Sequence, residues 1–230
     1  MRFPNAAVGV KRLFTAEILS ILSVLALIGS AVGAVLLFAT DMAQKSGEVT
    51  ADSVAGAGSV FAIVTVVCII IFAVVGIISF VMHIMGLACA GKDRNMFRIA
   101  LAAMLLKILV TVTEAAFTGM NNGVVSSLME VLTTILDMIS LIYVIQGIRS
   151  IAVDLGNDSV DRLGDNIFKV ILVAIVLEFT ANVIVLIFGG QTVSLISAII
   201  SLIAAILTFV QYLMYLVYLG KAKKMLASSL

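Results

Sequence analysis

The chain is poor in the residues that build most catalytic and metal sites: its 230 residues include no Trp, one His and two Cys. One His and two Cys are too few for an ordinary zinc site. Cys68 and Cys89 are 21 residues apart on one predicted helix, about 30 Å at helical rise, so they cannot form a disulfide with each other. The sequence also has no Walker A loop, HExxH or GxSxG. We therefore expect no catalytic residues, no metal and no cofactor.

Charge is scarce as well. Only 12% of residues are charged and 63% are hydrophobic, with a mean hydropathy of +1.27, whereas about 25% of residues in a soluble domain are charged. This composition is typical of an integral membrane protein whose main partner is the lipid bilayer. The net charge of +1 gives no reason to expect nucleic acid, because the basic residues are explained by membrane topology.

The positions of the basic residues predict that topology. Of the fourteen Lys and Arg residues, all but Lys45 and Lys107 fall at the N-terminus, at 92–98, at 149–169 or at the C-terminus. Basic loops stay on the cytoplasmic side, so the pattern predicts an all-α protein with six transmembrane helices and both termini inside. The predicted spans form one bundle over residues 1–230: 13–40, 58–90, 97–118, 123–149, 167–188 and 192–220. A multi-pass protein of the cell membrane, in a bacterium the inner membrane, is the expected location.

An internal repeat relates the last two helical hairpins. The segment 95–98 matches 166–169 at an offset of 71 residues, and the same offset aligns further polar and Gly positions without a gap. These aligned pairs are Lys107 with Glu178, Thr111 with Asn182, Gly119 with Gly190, Ser126 with Ser197, Glu130 with Ser201, Asp137 with Thr208, and Ser140 with Gln211. We interpret the chain as three αα-hairpins in parallel arrangement, as repeats in transporter folds are arranged.

The third and fourth predicted helices carry four charges inside the membrane. Lys107 and Asp137 are each 15 residues from a turn centred near Asn122, and Glu114 and Glu130 are each 8 residues from it. The turn therefore places Lys107 opposite Asp137 near mid-membrane, with the two glutamates level with each other nearer the outer surface. On the fifth helix, Glu178 falls at the midplane and Asn182 lies one turn further.

These charges have two interpretations, because a charge at the bilayer centre costs about 2.5–3.5 kcal/mol and requires a partner or a function. In the first, Lys107–Asp137 is a structural ion pair that fixes the hairpin, and Glu114 and Glu130 reach the headgroups. In the second, the third, fourth and fifth helices enclose a polar cavity. Lys107, Asp137, Glu178 and Asn182 then form a cation or proton site, with Glu114 and Glu130 at its mouth.

Three further features are predicted from the sequence. Glu17 and His83 lie about equally far from the centre of the first loop, so they are expected to meet, as an interfacial pair or as a pH-sensitive inner gate. Gly29 and Gly33 form a GxxxG pattern that allows close helix packing, within the monomer or in a dimer. The charged segment 149–169 is predicted to be a solvated connector, a short interfacial helix or a regulatory loop.

The leading functional prediction is a small transporter or channel-like permease for a cation or small polar solute, with possible proton coupling. The alternative is a non-transporting accessory or substrate-capture subunit, which docks through the cytoplasmic ends of the second and sixth helices and the acidic 154–165 loop. The small size, six helices and small-residue first helix broadly resemble the substrate-capture subunits of energy-coupling-factor vitamin importers. That resemblance implies a partner subunit and supports only the alternative.

Overall fold

The computed structural model describes residues 3–45, 51–117, 123–188 and 191–229. Within these ranges the description excludes the side chains at 40–41, 43–45, 51–58, 117, 123–128, 130, 178–179, 181–188, 191–198 and 201. The described backbone is helical apart from short turns. Its six helices are α1 (Pro4–Lys45), α2 (Ala51–Ala90), α3 (Asn95–Phe117), α4 (Gly123–Asp154), α5 (Asp158–Phe188) and α6 (Gln191–Ser228).

Each helix agrees with one predicted span but most extend beyond it. A span predicted from hydropathy ends where charged residues begin, whereas the helix itself can continue past them. Both α1 and α5 begin nine residues before their predicted spans. Within the described residues, five helices contain a stretch long and apolar enough to cross a membrane. These stretches are Pro4–Ala39, Ser59–Ala90, Asn95–Ala116, Val131–Asp154 and Leu202–Ser228. They indicate a membrane protein.

The chain divides into two compact units. One comprises residues 12–85, and the other comprises Met1–Lys11 together with Gly86–Leu230.

The unit of residues 12–85 consists of the adjoining parts of α1 and α2, which run antiparallel. Ser79 donates a hydrogen bond to the Ala16 carbonyl at 2.7 Å. Further along, a Cβ at Gly29 would lie 3.3 Å from the Cys68 sulfur, and one at Gly33 would overlap the Thr65 hydroxyl. Both glycines therefore face α2 of the same chain. Their predicted role in close packing within the monomer agrees with this geometry.

In the larger unit, α3 packs against α4, α5 against α6, and α4 against α5. The hairpin of α3 and α4 is antiparallel: Phe97 lies against Gly147, and Ser140 donates to the Ala100 carbonyl at 3.2 Å. A Cβ at Gly147 would lie 2.9 Å from the Phe97 ring. Glycine at this position thus lets the two helices approach closely.

Burial in the larger unit is concentrated at one end, which we call the packed end (residues 3–11, 86–101, 144–171 and 215–226). Every wholly buried residue among the described side chains of this unit belongs to it, including Phe97, Ile145, Ile148, Tyr218 and Leu219. The Tyr218 hydroxyl donates to the Ile145 carbonyl at 3.1 Å, which satisfies its buried polar atom. On the predicted topology, this end faces the cytoplasm.

The segment 149–169, predicted to be a solvated connector, a short interfacial helix or a regulatory loop, consists of two helix ends joined by a three-residue turn. The connector and loop alternatives, including the acidic 154–165 loop, are therefore wrong. Gly156 has a φ of +65°, and the Asn157 amide donates to the Ala152 carbonyl at 2.8 Å, which closes α4 as a Schellman motif. The Asn157 side chain then accepts from the Val160 amide at 3.1 Å and caps α5.

Ion pairs explain why these charges do not form a loop. Arg149 donates to Asp161 at 2.8 Å and lies 3.4 Å from Asp165, joining the end of α4 to the start of α5. Lys169 contacts Asp165 at 2.6 Å. The hydrogen bond from Lys169 holds the pKa of the Asp165 carboxyl below its usual value, and the nearby Arg149 charge acts in the same direction.

A second group of contacts, the N-terminal polar cluster (Phe3, Asn5, Ala6, Asp93, Arg94 and Asp154), ties the first turn of α1 to the α2–α3 and α4–α5 connections. The Asp93 carboxylate accepts from the Asn5 side chain at 2.8 Å and from the Ala6 amide at 2.7 Å. It thereby caps a helix whose own N-cap residue, Phe3, has no side-chain acceptor. Arg94 lies over the Phe3 ring, 5.2 Å from its centroid, and pairs with Asp154.

Candidate functional site

The candidate site is built around an ion pair between α3 and α4. The Lys107 Nζ lies 2.7 Å from Oδ1 and 2.6 Å from Oδ2 of Asp137. This contact agrees with the register predicted from the short turn, because each step along α3 is matched by an opposite step along α4. Both interpretations of the intramembrane charges require this pair, so its presence alone does not choose between them.

The surroundings of the pair differ from a buried structural bridge. The Lys107 side chain is 36% exposed and that of Asp137 is 57% exposed. Beside them, a small apolar cluster of Ala103, Val110 and Leu136 joins the two helices. The apolar packing therefore holds α3 and α4 together next to the pair, while the Asp137 carboxylate remains accessible.

A cavity of about 240 Å³ opens next to Asp137, between α4, α5 and α6. Its polar lining, apart from Asp137, comes from Thr134 of α4 and from Thr208 and Gln211 of α6. The remaining walls are apolar: Met138, Leu141, Ile171, Ala174 and Ile175. The prediction placed the cavity between the third, fourth and fifth helices. The observed cavity is lined by the fourth, fifth and sixth helices instead. Lys107, on α3, contacts Asp137 but is not part of the lining.

The polar groups of α6 are the residues that the site prediction missed. Thr208 and Gln211 are the positions that the 71-residue offset aligns with Asp137 and Ser140. The sequence therefore identified them as polar positions of the predicted repeat, without indicating that they lie beside Asp137. The Thr208 hydroxyl donates to the Ala204 carbonyl of its own helix at 2.9 Å, which leaves its oxygen able to accept. Gln211 is partly buried, and no hydrogen bond joins its carboxamide to another described residue.

The other predicted site residues are not assembled at this point by the described part of the chain. Glu114 is partly buried on α3 and has an interaction partner. Glu130, Glu178 and Asn182 lie on α4 and α5, but their side chains are outside the described residues. The predicted meeting of Glu114 with Glu130, and the predicted place of Glu178 beside Asp137, therefore stay predictions.

The predicted inner pair lies in the unit of residues 12–85. The His83 Nδ1 is 3.7 Å from the Glu17 Oε1, and both side chains are largely covered, with exposures of 23% and 12%. The neighbouring Ser79–Ala16 hydrogen bond holds α1 and α2 in the register that brings them together. The two residues meet as their spacing predicted, and a gating role stays a prediction.

No group of three or more His, Cys, Asp or Glu side chains suited to a metal ion is found among the described residues. The comparisons with known proteins add no functional information: no protein-family model, curated protein or solved structure matches this chain. The geometry of the Asp137 cavity and the ion pair beside it is therefore the basis for a functional proposal.

Proposed function

We propose that this protein is a small multi-pass membrane permease that binds a small cation, or a polar solute carrying a positive charge, at Asp137. The observation that carries the proposal is that one accessible carboxylate lines a cavity between three helices. A carboxylate in a membrane-spanning segment is costly, and such residues commonly mark ion or substrate paths. The packed end and its basic residues would lie in the cytoplasm, with both termini inside.

The cavity has the composition of a small-solute site. Its walls are mostly apolar, and a few polar groups converge near one charge, as in sites that orient a small ligand. Asp137 supplies the charge, and Thr208 and Gln211 supply neutral oxygen atoms from the facing helix. By sequence spacing, Glu178 follows Ala174 by four residues and Ile175 by three. Helical periodicity supports placing position 178 on the α5 face that lines the cavity.

The test is ion flux through purified protein in liposomes that contain a pH-sensitive dye, under imposed proton and cation gradients. We expect flux with the wild type and its loss in Asp137→Asn and in Glu178→Gln. Asp158→Asn is the matched control, because it neutralises an exposed carboxylate in the first turn of α5 and should keep the flux. Absence of flux from folded wild-type protein would contradict the proposal.

A second candidate function follows from the exposure of the same ion pair. Because the chain itself leaves Asp137 more than half exposed, another subunit could cover it, as expected for an accessory or substrate-capture subunit. Purification distinguishes the two functions. A permease remains active alone, whereas a subunit is inert alone and co-purifies with a membrane partner that Asp137→Asn releases.

A further inference from the structure

Asp137 pairs with Lys107 and also lines the cavity. From α3, the Lys107 ammonium contacts both of its carboxylate oxygens, at 2.6 and 2.7 Å. The same residue also lines the cavity with Thr208 and Gln211 of α6. Lys107 is not part of that lining, so the ammonium and a ligand in the cavity approach one carboxylate from different helices.

The lysine is well suited to leave this contact. An ammonium is a compact charge on a flexible four-carbon stem, with three donors and no fixed planar geometry. The Lys107 side chain is 36% exposed, so it is not clamped by surrounding atoms. When Lys107 is bound, it satisfies the carboxylate. When it leaves, the carboxylate requires another positive partner, because an unpaired charge in this setting is costly.

The cavity provides oxygen ligands for a cation that replaces Lys107 at Asp137. Asp137 and the oxygen atoms of Thr134, Thr208 and Gln211 are the hard ligands that alkali cations bind, and they also accept hydrogen bonds from a primary ammonium. The volume of about 240 Å³ is several times the space of about 30 Å³ that one water occupies in the liquid. A small cation with part of its hydration shell, or a short alkylammonium, therefore fits.

We propose that Lys107 is a displaceable internal counter-ion of Asp137, which a small monovalent cation entering from the cavity must replace. The proposal rests on the proposed function, and it adds the class of ligand and the role of a residue outside the cavity lining. Lys107 sets the apparent affinity, because the cation binds only those molecules in which the lysine has left the carboxylate. Thr208 and Gln211 provide the neutral ligands of the bound cation.

The first experiment measures binding of Na⁺, K⁺ and methylammonium to the purified full chain by titration calorimetry, at constant ionic strength with a bulky organic cation as background. Comparing Na⁺ and K⁺ with methylammonium shows whether the site prefers an alkali cation or an organic ammonium group. If Lys107 occupies Asp137 in nine molecules of ten, removing it tightens binding about tenfold. We expect that gain in Lys107→Met and no binding in Asp137→Asn. Lys107→Arg should bind the cation more weakly than the wild type, because a guanidinium pairs with both carboxylate oxygens and leaves them less readily.

Lys169→Met is the matched control. Lys169 also contacts an aspartate at 2.6 Å, so the variant removes a paired lysine of the same kind away from the cavity, and its cation affinity should stay that of the wild type. If Lys107→Met does not purify as a folded protein, Lys107→Gln replaces it, because the carboxamide can still donate to Asp137.

A second measurement detects the displaced lysine directly. Acylation of amines in the wild type, quantified by mass spectrometry, should modify Lys107 faster when Na⁺ or K⁺ saturates the protein, while the rate at Lys169 stays constant. Cation binding that requires Asp137, without a gain in Lys107→Met and without faster acylation, would overturn the counter-ion role and leave the proposed function standing. Equal or absent binding in the wild type and Asp137→Asn would overturn both.

Discussion

The packed end and the adjoining polar segment (residues 102–116, 129–143, 172–177 and 199–214) belong to the same helices but are built differently. At the packed end, side chains such as Phe97, Ile148 and Tyr218 are wholly buried, and the charges bind the helix ends together. In the polar segment no described side chain is wholly buried, and the central charges border a cavity. The difference indicates that packing stabilises one level of these helices, and it leaves the other level for the cation binding that we propose.

The largest expected effect tests the packed end. Phe97→Ala removes a wholly buried ring that lies against Gly147, and we expect a loss of about 3–5 kcal/mol in the free energy of unfolding. Phe209→Ala is the matched control, because Phe209 is 62% exposed in the polar segment. Denaturation in detergent measures both. Equal losses in the two variants would contradict the contrast between the regions.

The next effect tests the Lys107–Asp137 pair with a double-mutant cycle of Lys107→Met and Asp137→Asn. Each single change leaves one group without its partner, so we expect each to destabilise the protein more than the double change does. Contacting residues typically show coupling of about 0.5–3 kcal/mol. Denaturation of the four proteins gives this value. Additive effects would mean that the pair contributes nothing to stability and leave its role to binding alone.

A smaller effect is expected at the N-terminal polar cluster. Asp93→Ala removes the acceptor for the Ala6 amide and the Asn5 side chain, and loss of a helix N-cap costs about 0.5–2 kcal/mol. Lys92→Ala alters an exposed residue in the same turn and serves as the control. Hydrogen exchange at the first turn of α1 should rise only in Asp93→Ala. No change there would show that the cap does not hold the turn.

The smallest effect concerns pH. Because the folded-state pKa of Asp165 is lowered by Lys169, its carboxylate stabilises the fold above the ordinary aspartate pKa of 3.8. That contribution is lost as the pH falls below this value. The Tm of Asp165→Asn should therefore be slightly below that of the wild type at neutral pH, and the gap should narrow as the pH falls below 3.8. A gap that widens in acid would contradict the assignment.

The contacts that sequence reasoning predicted are those fixed by a short turn or by simple spacing. The predicted turn near Asn122 places Lys107 level with Asp137, and the equal distances of Glu17 and His83 from the centre of the predicted first loop place these two residues together. The packed end was not predicted, because a run of charges such as 154–165 resembles a solvated connector unless its partners are known. Arg149 and Arg94 are those partners, and Arg94 reaches Asp154 from another part of the chain.

The composition of the cavity was also beyond a single sequence. Thr208 joins Asp137 only because α6 packs beside α4 and α5, and the angles between helices depend on side-chain packing over their whole length. The 71-residue offset aligned Thr208 with Asp137 as equivalent positions of a predicted repeat. Equivalence in a repeat does not indicate contact, so the alignment alone could not place both residues at one site.

The N-terminal polar cluster has a consequence for biosynthesis. Its contacts join residues 3–6 to Asp93 and then to Asp154 through Arg94, so they link positions that are synthesised far apart in time. The first turn of α1 obtains its cap only after residue 93 has left the ribosome, and the Arg94–Asp154 pair forms later still. These contacts therefore form only after residues 93 and 154 have been synthesised, as a late step in the assembly of the fold.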